Sequence, residues 1–202
     1  MSRFIGIALR RHLRRQTCCA YALLLILCVA GFAQTKTDTA ADQPEARILA
    51  DLGDRVGRYL QSRKKVGGSP KPAKEPEKLA DDRKQTAAKV RVERTDAKQG
   101  DIFTPEITGY FRQQITATFT GPEGPKIRAS LRRAEPVRGI ALKVNAAYPA
   151  TLPLQSTPPT LLLNLPRLPK DLEYRIVGRD LALHDTVTNL IVDFIPNAIP
   201  AS

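Results

Sequence analysis

The sequence predicts an α+β protein, a small antiparallel sheet of about four strands covered by helices, and three observations predict it. Apolar residues recur at helical spacing in two separate stretches before residue 121. From Val137 the apolar period shortens to two, the mark of a strand with one buried face. Near the end, Gly178 and Arg179 interrupt an alternating run with a glycine-first pair that fits a type II′ hairpin turn.

Residues 1–33 come first. They open with five arginines and no acid, continue through an apolar run, and end in Gly31, Phe32 and Ala33. This is the pattern of a secretory signal peptide with cleavage after Ala33. An uncleaved membrane anchor is the alternative, because residues 17–33 approach the ~17-residue lower limit for a span. Either way the bulk of the chain is exported, to the periplasm or beyond. Cys18, Cys19 and Cys28 all lie in this segment, so the mature chain is cysteine-free and has no disulfide, thiolate nucleophile or cysteine metal site. Removing it also leaves 27 basic against 20 acidic residues.

Residues 34–43 are polar and aperiodic, a disordered lead. Over residues 44–66, Ile48, Leu49, Leu52, Val56, Tyr59 and Leu60 form one apolar stripe, with Pro44 at the first turn and Gly67 and Gly68 as the stop. The spacing predicts an amphipathic helix. Residues 67–100 read as a charged, proline-containing linker; Pro70, Pro72 and Pro76 forbid a continuous helix, and residues 79–93, with helix-forming composition but no stripe, read as weak helix or coil. The first helix is then a tethered element, and Leu49, Leu52, Val56, Tyr59 and Leu60 are candidates for partner binding.

A domain over residues 101–196 follows, with 197–202 as a tail. Thr104 is a natural N-cap, Pro105 suits the first turn, and Ile107, Tyr110, Phe111, Ile115 and Phe119 give a buried face that Gly121 and Pro122 end. A shorter helix over 125–134 places Ile127 and Leu131 one turn apart. Ile140, Leu142 and Val144 then alternate with Ala141, Lys143 and Asn145 as the first strand. Proline punctuates residues 148–171, with a helical turn at 160–164 capped by Ser156 or Thr157.

The turn at Gly178 sets the closing meander: it pairs Ile176 with Leu181 and Tyr174 with Leu183, placing Leu172, Tyr174, Ile176, Leu181 and Leu183 on one face. A four-residue loop, 186–189, turns the wholly apolar set Leu190, Val192 and Phe194 to that same face. Glu173, Arg175, His184 and Asp193 share the opposite, solvated face, with Glu173 directly across from His184. A carboxylate beside an imidazole can orient a general base. Opposite charges facing across a sheet are also ordinary packing. One histidine and two acids on a flat face lack a third strong ligand, so no metal and no cofactor is expected.

The C-terminal stretch TPPTLLLNLPRLPKDLEYRIVGRDLALHDTVTNLIVDFIPNAIP, with the helix DIFTPEITGYFRQQI before it, resembles a set of uncharacterised exported bacterial proteins. The resemblance implies export and an intact C-terminal domain, and carries no activity or site residue.

No phosphate loop, nucleophile elbow or zinc-protease helix occurs. The function that fits is a non-catalytic cell-envelope interaction module whose partner is an envelope protein or polymer. Polyanion binding through residues 63–98, with twelve basic against six acidic residues, is one alternative. The absence of any aromatic residue there argues against nucleic acid. An acid/base hydrolase on the Glu173 and His184 face is the other. Membrane contact is expected only through an uncleaved N-terminal segment.

Overall fold

The computed structural model describes residues 44–67, 75–133, 140–149 and 158–201. The chain divides into two units, residues 1–40 and 41–202. All described residues belong to the second. The signal peptide with its Ala33 site and cysteines, the polar lead, residues 68–74 of the linker, the onset of the first strand at Val137, and the capping residues Ser156 and Thr157 lie outside the described residues.

The architecture is α+β. Five helices, α1 (Pro44–Gly67), α2 (Pro76–Glu93), α3 (Pro105–Thr120), α4 (Gly124–Arg133) and α5 (Pro159–Leu162), precede three strands, β1 (Leu172–Val177), β2 (Asp180–Asp185) and β3 (Leu190–Ile195). The strands form one antiparallel sheet in the order β1-β2-β3.

Helix α3 forms as its cap and stripe dictate. The Thr104 hydroxyl accepts from the Ile107 amide at 3.3 Å, Pro105 fills the first turn, and Ile107, Phe111, Ile115 and Phe119 are buried. Phe111 sits edge-to-face against Phe103 and Tyr174, tying the helix to the sheet. The hairpin between β1 and β2 has the expected register, Ile176 opposite Leu181 and Glu173 opposite His184, with Gly178 at φ 62°.

Helix α1 is integral to the core, not tethered. Leu52, Val56 and Tyr59 are buried in the same cluster as the sheet's inner face, and Leu60 and Ile48 pack against it. The expected linker contains the 18-residue helix α2, because Pro76 falls in the first turn, where a proline costs no hydrogen bond. Only Ala87 and Val90 of α2 are buried, too few to trace a stripe. The end of α1 approaches α2 so closely that a Cβ on Gly67 would meet the Thr86 methyl.

Among the described residues the fourth strand does not form. Asn145 adopts φ 63° and the chain turns there, leaving Ala147 opposite Leu190 as an isolated bridge, with backbone bonds from Asn145 to Ile191 and from Tyr148 to Asn189. The segment instead lays Leu142 and Tyr148 over the sheet's outer face, where they cluster with Val177, Ala182 and Ile191. Both faces are therefore covered. The expected tail is also built in: Ala198 and Ile199 are buried, and the Ile199 amide and carbonyl bond to Arg179.

Candidate functional site

The parity of β3 decides where its polar groups go. Leu183 faces Asp193, but the next residue, His184, faces Ile191, so Val192 is an extra residue in β3. The bulge lets Leu190, Val192 and Ile195 all reach the core, while Phe194 packs with the outer cluster. It also corrects two expectations: Phe194 does not face inward, and Asp193 is not on the solvated face.

Asp193 is fully buried on the inner side. Its carboxylate accepts from the amides of Ile102 and Phe103, both at 2.8 Å, from Gly100 at 3.0 Å, and from Phe194 at 2.8 Å. The loop between α2 and α3 wraps around that charge, with Gly100 at φ 93° to aim its amide.

The other three residues of the expected face do meet. His184 Nδ1 lies 2.9 Å from Glu173 Oε1, and the Arg175 guanidinium reaches the same oxygen at 2.7 Å. Burial opposes the charge on Glu173, but the hydrogen bonds from His184 and Arg175 outweigh it and hold the carboxyl below its ordinary range. This face is not wet at the histidine. His184 is 6% exposed and the Tyr148 ring stands 5.0 Å from its own. Its second nitrogen, Nε2, is 2.9 Å from Asn189 Oδ1, an orientation set by the Asn189 amide group, which donates to the Tyr148 carbonyl. Neither ring nitrogen is open to a substrate, so the geometry gives the imidazole a bracing role in the sheet.

A second carboxylate cluster escaped the sequence reading. Asp185, at the end of β2, is fully buried and accepts from Tyr59 Oη at 2.5 Å, Arg63 Nη1 at 3.0 Å and the amides of Val187 and Thr188. Arg63 Nη2 also reaches Asp171 at 2.6 Å. Burial, then the Asp185 charge, raises the Tyr59 phenol far above its ordinary value, so it stays a neutral donor. The sequence held a signal: Arg63 falls one turn past Tyr59 on an apolar stripe, and a charge there implies a buried partner. The stripe residues proposed for partner binding are thus consumed internally. Leu52, Val56 and Tyr59 are buried, and Leu49 and Leu60 are half-buried.

A groove of about 440 Å³ lies open beside β1, an edge strand of the sheet. Leu162, Pro166, Leu168 and Leu172 supply its apolar lining, and Arg167, Glu173 and Arg175 its polar rim. Leu163, next to Leu162, is 82% exposed. Arg167 makes no hydrogen bond or ion pair among the described residues. Nothing in the described residues groups three or more metal-ligating side chains. No described helix is long and apolar enough to cross a membrane. Comparison with protein-family models, curated proteins and solved structures returns no match.

Proposed function

We propose that this chain is an exported, non-catalytic interaction module of the cell envelope, and that its contact surface is the groove along β1. The observation that carries the reading is the pairing of an apolar groove and an exposed Leu163 with Arg167, which has no partner among the described residues, while the carboxylate clusters are occupied by structural bonds. An edge strand flanked by an apolar groove accepts an extended segment, whose backbone can pair with the strand and whose side chains fill the groove. The Arg167 guanidinium selects a segment that carries a carboxylate near its apolar residue.

Photo-crosslinking in the native envelope tests this. A crosslinker at position 163 should trap one discrete protein, and the product should vanish with Arg167→Glu. The same crosslinker at Arg83, an exposed position of α2, should trap nothing specific. Equal yields from both positions would defeat the reading. Export is checked separately by the mass of the exported chain, expected to begin at Gln34.

Diffuse polyanion binding along residues 63–98 has less support. Arg63 is committed to Asp171 and Asp185, and Lys78 and Lys84 pair with acids of their own segment.

A further inference from the structure

A hollow of about 370 Å³, sharing no lining residue with that groove, opens between α1 and the turn that follows α2. Arg55, Arg58 and Ser62 line it from α1, at the i, i+3 and i+7 spacing of one helix face. Arg94, Asp101 and Ile102 line it from the turn, and the Tyr59 ring forms part of the wall. Three guanidinium groups thus face a single lining carboxylate.

The three differ in how far they are already committed. Arg55 gives its Nε to Asp51 at 2.9 Å and its Nη1 to the Asp101 carbonyl at 2.8 Å, which leaves Nη2 unassigned. Arg94 lies over the Tyr59 ring, 4.9 Å from its centroid, and donates to two neutral acceptors, Asn145 Oδ1 at 3.0 Å and the Val192 carbonyl at 3.2 Å. Among the described residues no carboxylate lies within ion-pair distance of it. Arg58 is exposed and makes no hydrogen bond or ion pair with any described residue. Burial pulls the Arg94 guanidinium below its ordinary value, and the nearby charges offset only part of that cost.

We propose that this hollow binds a phosphate monoester. Two forked guanidinium groups with free N–H donors, Arg58 and Arg94, match the several oxygens of a phosphate dianion, and the Ser62 hydroxyl adds a neutral donor. The volume exceeds that of the phosphate alone, which leaves room for an organic substituent. The site is independent of the groove beside β1, so either can fail without the other.

The test is titration of the purified chain with inorganic phosphate at low salt, followed by calorimetry. Saturable one-to-one binding is expected, weakened at least about tenfold by Arg58→Glu, since a charge-assisted bond is lost and a like charge introduced. Arg58 is exposed and has no partner among the described residues, so this variant should fold as the parent does. Arg83→Glu, the same charge change on α2, should leave affinity unchanged. Vesicles containing phosphatidic acid form the second arm. Arg58-dependent vesicle binding that inorganic phosphate competes away identifies a lipid headgroup as the source, and solution binding alone identifies a soluble monoester. Absence of saturable binding in both arms, or an equal loss from Arg83→Glu, would overturn the site.

Discussion

Asp185 and Asp193 sit on neighbouring strands, both fully buried on the side of the sheet that packs against helices, yet they are satisfied in opposite ways. Asp193 is held by backbone amides alone, chiefly from the loop at residues 100–103. Asp185 depends on two side chains from α1, Tyr59 and Arg63, assisted by two amides of its own turn. The first arrangement fixes a loop whose other side chains are free to vary. The second fixes a helix, and is exposed to substitution at three separate positions.

Four changes break or sharpen that contrast. The largest effect should come from Asp193→Ala, which strands the buried amides of Ile102 and Phe103 together with that of Gly100. At about 1 to 3 kcal/mol for each of the three unsatisfied donors, the loss is about 3 to 9 kcal/mol in urea denaturation. Arg63→Met should cost about 2 to 4 kcal/mol, below the usual range for a broken buried pair because Tyr59 and two amides still hold Asp185. Combining it with Asp185→Asn should cost less than the sum of the single changes, because the two residues share one interaction.

Tyr59→Phe should cost about 1 to 2 kcal/mol at neutral pH. It should also change the alkaline response. The folded state holds this phenol above its unfolded value of about 10, so its contribution is complete below that pH and is lost as pH rises past it. Denaturation between pH 8 and 11 should therefore show a shallower decline in the Phe variant. Tyr174, also raised by burial, keeps the decline from disappearing. The smallest effect belongs to Glu173→Gln. The folded carboxyl is held below its ordinary range, so its contribution is present above about pH 4.3 and fades as pH falls. With the side chain 34% exposed, that contribution is screened to below about 1 kcal/mol, read as a slightly flatter acid limb.

Much of the fold could be read from local pattern. The Thr104 cap, the α3 stripe and the Gly178 turn each depend on neighbours in sequence, and each appears where the residues place it. The bulge at Val192 could not be read that way. It is stabilised by the bonds of Asp193 to a loop about ninety residues earlier and by Arg94 on the Val192 carbonyl. Parity reasoning weighed a strand against its own apolarity and had no means of counting amides elsewhere. Helix α2 reads only as weak helix or coil for a related reason: with two buried residues, its place is set by contact with α1 and the loop, not by its own periodicity. Of the site residues, the Glu173, Arg175 and His184 cluster was legible from register alone. Its enclosure by Tyr148 and Asn189 was not, since it required the 140–149 segment to turn at Asn145 and lay Tyr148 over the outer face.

The pairing of Ile199 with Arg179 has a consequence for biogenesis. While a ribosome is still making β3, Leu181 and Leu183 are paired with β1 alone, the 100–103 loop has no Asp193 carboxylate to wrap, and the hairpin tip has no clamp. Closure therefore waits until residue 199 has emerged.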